Sequence, residues 1–203
     1  MKFWLVLIPI IAVLLMSSDK KENVIIDSDM TFEQAVAGSP ATKEIIESLT
    51  LLDVYYYSFD SKLHKGQLVV SKSIANEVKT VFDMIRQTKF PVNKAIPIVK
   101  YKWDDDASMS DNNSSSFCWR TIAGTNRISL HGRGMAVDIN PRMNPVIHKD
   151  GSLSPTNGKY DTKKQGTFTA EHPIVKKFKE LGWRWGGEFN SYKDNHHFDK
   201  PTE

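Results

Sequence analysis

One cysteine in 203 residues, Cys118, removes two routes to stability at once. No intramolecular disulfide can form, and no thiolate cluster can hold a zinc ion. The fold must rest on its core, or on a metal bound through His and carboxylate side chains. Excess charge of one sign is also scarce. Lys and Arg number 27 against 24 Asp and Glu, leaving +3 with no basic cluster, which argues against a nucleic-acid partner. Long apolar runs are nearly absent. The longest, Phe3 to Met16, is shorter than the ~20 residues of a membrane-spanning helix. Repeats and heptads are missing too. What remains, 40% hydrophobic and 25% charged, suits a globular chain with one modest core.

The apolar run has its own meaning. Lys2 precedes it, and Ser17, Ser18, Asp19 and two lysines follow it. This is the layout of a secretory signal peptide, or of an uncleaved N-terminal membrane tether, over residues 1–18. Residues 19–50 read as a linker and an N-terminal helix, with weak helical patterning from Thr31 to Leu52. Residues 51–203 form the main domain.

Within that domain, His64-Lys65-Gly66 reads as a turn and Gln67 to Val70 as a short strand. Ile74, Val78, Val81, Phe82 and Ile85 recur at helical spacing, with Ser73 as N-cap and Pro91 as terminator. Ile96 to Trp103 looks extended, and Asp104 to Ser116, rich in Asp, Ser and Asn, looks like a loop. Met135 to Ile139 is a strand closed by Asn140-Pro141, and residues 141–169 are a long surface excursion. Pro173 opens a helix whose apolar face is Ile174, Val175, Phe178 and Leu181, and Gly182 ends it. Trp183 to Trp185 returns to a strand. Helices mixed with few strands make the class α+β.

Two segments carry chemistry. In SLHGRGMAVDIN, His131 sits in a Gly-rich turn and Asp138 inside an apolar strand. A carboxylate there is costly unless it is paired or binds a metal. In WGGEFNSYKDNHHFDK, Asp194, His196 and His197 follow a Trp-Gly-Gly turn. A catalytic zinc keeps three protein ligands and an open position. One His and one Asp from the first segment and one His from the second complete that set, leaving Asp194 free as a general base. The spacing alone leaves the choice between His196 and His197 open.

The sequence S-L-H-G-R-G-M-A-V-D, Ser129 to Asp138, resembles the S-x-H-x-x-G-x-A-x-D motif of the VanY-like bacterial cell-wall metallopeptidases. W-G-G-E-F…D-N-H-H-F is similar to that family's W-G-G-D-W…D-x-x-H-F. G-Q-L-V-V at Gly66, F-P at Phe90, D-D-D-A-S-M at Asp104 and S-S-F-C-W-R ending at Arg120 fall in family order. The resemblance thus runs from Tyr57 to Phe198. It implies a zinc D-alanyl-D-alanine carboxypeptidase or L-alanyl-D-glutamate endopeptidase acting on peptidoglycan stem peptides outside the cytoplasmic membrane. It implies a small antiparallel sheet flanked by helices, as in the Hedgehog signalling domain and the D-Ala-D-Ala peptidases, with Zn2+ in a cleft on the sheet. The motif register assigns His131, Asp138 and His197 as ligands and leaves His196 as a spacer. Asp194 becomes the catalytic acid/base, and Arg120 binds or polarises the substrate. Ser129, Trp185 and Tyr192 are expected to contact the substrate or line the cleft.

Glu188, Phe189 and Asp199 depart from the family pattern, where Asp, Trp and Glu or Gln are common, and bear on cleft shape and support, and so on substrate choice, rather than on ligation. The competing reading is a binding module of the same fold without catalysis, and the presence of Asp194 weighs against it. Elsewhere, Asp104 to Asp106 read as a solvated acidic loop, His64, His148 and His172 as surface or capping residues, and Trp103 and Trp183 as core.

Overall fold

The computed structural model describes residues 23–122 and 124–201, so the signal-like segment Met1 to Ser18 lies outside the described residues. The described chain opens with β1 (Ile25–Ile26) and two short helices, α1 (Phe32–Ala35) and α2 (Lys43–Ser48). Thr31 and Thr42 cap them, the former in a reciprocal box with Gln34. The helical patterning expected up to Leu52 ends earlier, because β2 (Leu49–Tyr57) begins at Leu49. This strand pairs antiparallel along its whole length with β3 (Leu63–Ser71). Val54 and Tyr56 face inward, while Asp53 and Tyr55, alternating with them, face solvent. The expected turn at His64-Lys65-Gly66 lies inside β3. The reversal falls instead at residues 58–62, closed by Ser58 and Ser61.

α3 (Ala75–Gln87) buries Val78, Val81, Phe82 and Ile85 against this hairpin. Its cap position is Ile74, not Ser73, whose hydroxyl bonds to Ser71 instead. The helix stops before Lys89, in the left-handed region, well short of Pro91.

Two expectations fail in the next stretch. Ile96 to Trp103 is not extended. Pro97, without an N–H to give a ladder, leads into a 3-10 turn over Ile98–Tyr101, and Lys102 and Trp103 follow at positive φ. Asp104 to Ser116 is not all loop. Asp104 caps α4 (Asp105–Ser110), accepting from the Ala107 N–H at 2.9 Å, and Asp105 and Asp106 sit where a helix N-terminus favours negative charge. β4 (Lys94–Ala95) and β5 (Asn113–Ser114) pair in parallel across this segment.

The remaining elements frame the cleft. β6 (Ala136–Asp138), β9 (Arg184–Trp185) and β11 (His197–Asp199) form one antiparallel sheet in the order β6-β11-β9. Within the excursion, β7 (Val146–Ile147) and β8 (Leu153–Ser154) pair with β10 (Lys193–Asp194) in the order β10-β7-β8. α5 (Pro173–Glu180) has Pro173 at its first position and His172 as cap. The architecture is α+β, but its strands form several small sheets rather than the single one expected, and β1 joins β3 in parallel.

The main core gathers the hairpin, α3, α5 and the β6-β11-β9 sheet. At its centre Phe178 of α5 stacks on Phe198 of β11, ring centroids 4.1 Å apart. Burying each such side chain stabilises by about 1.5–3 kcal/mol, which anchors β11 from below. Trp183 belongs to this core, as expected. Trp103 packs at the margin of a second cluster around Leu49 and Phe117. Among the described residues no helix is long and apolar enough to cross a membrane.

Candidate metal centre

Strand pairing brings the two motifs together. β11 runs antiparallel to β6 with His197 opposite Asp138, so both side chains leave the same face of the sheet. His131 enters from a 3-10 turn over His131–Arg133. The Gly132 N–H donates to Ser129 Oγ at 3.0 Å, and Gly134 turns the chain into β6. His131 and Asp138 are almost fully buried, and His197 is mostly so.

One donor atom from each of the three residues lies within 4.8 Å of the other two. His131 Nε2 stands 3.0 Å from His197 Nδ1 and 3.2 Å from Asp138 Oδ2, and His197 Nδ1 stands 3.0 Å from Asp138 Oδ1. The outer ring nitrogens are fixed. His131 Nδ1 donates to the Ser116 carbonyl at 2.7 Å, and His197 Nε2 donates to Asp199 Oδ2 at 3.1 Å. With those positions protonated, the inner nitrogens of neutral imidazoles present lone pairs to one another and to a carboxylate. Three acceptors converging in a buried place need a cation or a proton between them. The residues present fit a tetrahedral divalent ion of the zinc type, which takes His and carboxylate ligands and keeps one open position.

The electrostatics agree. Burial lowers the His131 imidazole against the pull of Asp138. Burial would lower His197 as well, but its bonds to Asp138 and Asp199 outweigh it and raise the group to about 10. Burial also opposes ionisation of Asp138, yet His131, His196 and His197 together hold its carboxyl well below the usual range. Without metal, the charge on the trio is balanced by a proton on His197. Cys118 is buried nearby and its thiol is pushed up to about 11, chiefly by burial, so it is not a nucleophile.

His131 and His197, with Asp138 buried behind them, line a cleft of about 740 Å³ whose walls include Arg120, Arg184, Phe189, Tyr192 and Asp194. Asp194 is carried by β10, opposite Val146 of the excursion. A Cβ built on Gly186 would lie 2.4 Å from the Asp194 carbonyl oxygen, so the Trp-Gly-Gly turn leaves room for the strand bearing Asp194. Arg120 reaches the cleft in an ion pair with Asp105. The acidic stretch is therefore a helix start with a partner, not the solvated loop expected.

The other candidates divide. Ser129 lines the cleft while its hydroxyl accepts from the turn that carries His131. Tyr192 lines it as well and packs edge-on against Phe189. Trp185 does not. It is buried in the main core, and its indole N–H donates to the Asn195 carbonyl at 2.9 Å, so it supports the turn from behind. His172 caps α5 as expected and His148 is exposed, but His64 is buried between Asp27 and Asp60 and is no surface residue.

Arg184 and the burial of His196 were missed in the sequence, and Asp199 was noted only as a departure bearing on cleft shape and support. Asp199 holds His197 and is itself gripped by Arg184 through Nε at 2.7 Å and Nη2 at 2.8 Å. The His-x-Asp spacing on a strand, which sets both side chains on one face, was the available signal. Arg184, two residues before Gly186, adds a second cation to the cleft. His196, set aside as a spacer, is 2% exposed and stands 3.1 Å from Asp194.

Residues 123–200 match the family model described as D-alanyl-D-alanine carboxypeptidase. The matched stretch holds both motifs, the converging trio and Asp194. No curated protein and no solved structure matches the chain.

Proposed function

We infer, for a chain whose residues 123–200 match the D-alanyl-D-alanine carboxypeptidase family model, a zinc-dependent peptidase of that family that hydrolyses peptidoglycan stem peptides. The bond cut is of the D-Ala-D-Ala carboxypeptidase or L-Ala-D-Glu endopeptidase type. The observation that carries this reading is the convergence of three buried acceptors, each ring held by a second partner and both rings lining an open cleft.

His131, Asp138 and His197 would hold the zinc. When bound, it supplies Lewis acidity that makes a water acidic near neutral pH and polarises a peptide carbonyl. The remaining work falls to side chains. Asp194 takes the proton from the attacking water and passes it to the leaving amine. Arg120, held by Asp105 at the cleft wall, attracts the anionic stem peptide and stabilises the negative charge that develops on the carbonyl oxygen. Arg184 adds positive charge at the cleft while its bond to Asp199 keeps the His197 ring in register. Such a substrate lies outside the cytoplasmic membrane, which agrees with an export signal over residues 1–18.

The test is a digest of purified muropeptides read by mass spectrometry, with zinc-loaded wild type and Asp194→Ala. Wild type should cleave, a chelator should stop it, and Asp194→Ala should keep zinc but lose turnover by about 10²–10⁴-fold. Loss of one terminal alanine marks a carboxypeptidase, and scission after the first L-alanine marks an endopeptidase. Full activity of Asp194→Ala overturns the base assignment, and chelator-resistant cleavage overturns the metal.

A further inference from the structure

We propose that Arg184 determines specificity by holding a free carboxylate on the leaving side of the scissile bond. This rests on the peptidase reading above and applies to either bond that reading allows. At a D-Ala-D-Ala terminus the departing residue carries its α-carboxylate free. In a stem peptide D-glutamate is joined onward through its side-chain carboxyl, so the residue after an L-Ala-D-Glu bond carries a free α-carboxylate too. Both bonds thus present the same anion, on the carbon bonded to the scissile nitrogen. Three observations carry the proposal.

The first is which edge of the guanidinium is in use. Nε and Nη2 of Arg184 each donate to Asp199, at 2.7 and 2.8 Å. A guanidinium has five N–H donors in a rigid fork. The end-on edge, made by Nη1 and the second N–H of Nη2, has no hydrogen-bond partner among the described residues. Two parallel N–H groups of this kind match a planar carboxylate.

The second is that the fork is held and yet open. Asp199 is buried and anchors one edge, and the Phe189 ring lies 5.8 Å from the guanidinium carbon. The Arg184 side chain nonetheless keeps 55% exposure and lines the cleft. A fork fixed on one edge loses little freedom when it binds through the other. Glu188, on the same wall, does not occupy it, since its carboxylate accepts from Lys179 at 2.7 Å.

The third is place. Asp199 Oδ2 accepts from His197 Nε2 at 3.1 Å and from Arg184 Nη2 at 2.8 Å. One imidazole and one carboxylate therefore separate the guanidinium from the ligand position on His197, the neighbourhood of an anion beside the scissile bond. Arg120 comes from a different segment, its carbonyl accepting from the Ser129 N–H at 3.0 Å. The two cations can therefore serve different atoms of one substrate, Arg120 the carbonyl oxygen and Arg184 the carboxylate.

The experiment uses the full chain in saturating zinc and two pairs of synthetic peptides. One pair is diacetyl-L-Lys-D-Ala-D-Ala and its C-terminal amide. The other is a stem peptide with D-glutamate and the same peptide with the α-carboxamide. In the pair that is cut, wild type should prefer the free acid about 10–100-fold in kcat/KM. Arg184→Ala should bring that ratio near one. Any loss from a loosened His197 affects acid and amide alike and cancels in the ratio. Arg184→Lys keeps a cation for Asp199 but has no fixed second edge, and should lose most of the preference with zinc retained. Arg120→Ala should slow both peptides by a similar factor. Calorimetric binding to metal-free protein should show the same preference for the acid, lost in Arg184→Ala. Equal cleavage or equal binding of acid and amide by wild type overturns the proposal, as does an Arg184→Ala protein that keeps the preference, and both leave the peptidase standing. Failure of zinc-loaded wild type to cut either pair or purified muropeptides overturns the peptidase reading itself.

Discussion

Gly186→Ala isolates what the Trp-Gly-Gly turn does. The position has ordinary backbone angles, so alanine adds one methyl and no conformational strain. That methyl would stand 2.4 Å from the Asp194 carbonyl oxygen and 2.8 Å from its Cβ. Ordinary contact is about 1 Å longer. Neither obstacle is the tip of a flexible side chain, so the backbone of β10 must move. β10 is tethered on its other side to β7 through Asp194 and Val146, and the shift therefore falls largely on Asp194. Overpacking of this kind costs about 1–3 kcal/mol of stability. A 1 Å misplacement of a catalytic group costs about 10²-fold in rate. The atoms nearest that methyl all belong to Asp194 and none to His131, Asp138 or His197, so bound zinc should stay near wild type. The assays are zinc content, thermal melting, and kcat on muropeptides. A Gly186→Ala protein with unaltered kcat would refute the claim that this glycine exists to seat the base. A zinc-free one would show that the turn supports the metal instead.

Four further outcomes follow from the geometry. Asp199→Ala releases His197 Nε2, and zinc affinity in a competition titration should fall about 10–100-fold, since only the orientation of one ligand is lost. In the metal-free protein His197 is raised from 6.5 to about 10, so at pH 7 it carries a proton that zinc must displace. Calorimetry in buffers of different ionisation enthalpy should register about one proton released per zinc at pH 7, and none would contradict the protonated trio. The same raised group contributes stability to metal-free protein that is complete below pH 6.5 and disappears as pH climbs through about 10, readable in urea melts. Phe178→Ala removes the ring stacked under Phe198 and should cost about 3–5 kcal/mol, with zinc affinity falling as well because Phe198 adjoins His197 on β11.

The site was legible in the sequence where chemistry and spacing are local. Asp138 inside an apolar strand, His131 among glycines, and Asp194 three residues before His197 are each unusual enough to be seen without coordinates. α3 and α5 were legible for a similar reason, since a helix declares itself within its own 3.6-residue period. The failures were of two kinds. Pro97 and the Asp104 cap turned a β-prone run and an acid-rich run into a 3-10 turn and a helix, because end chemistry outweighed composition over so few residues. His64, Trp185 and His196 were misjudged because burial is decided by what packs on a residue from far along the chain.

Residue order alone therefore singled out His131, Asp138 and the segment Asp194 to His197, because a carboxylate inside an apolar strand and clustered imidazoles have few other uses. Only the resemblance to the family's motif chose His197 over His196. Which strand carries Asp194 to the cleft, which carboxylate steadies His197, and which carbonyl holds His196 were decided only by tertiary structure. Those contacts join residues as much as 52 positions apart, as between His196 and Asn144, and local pattern carries no record of such pairings.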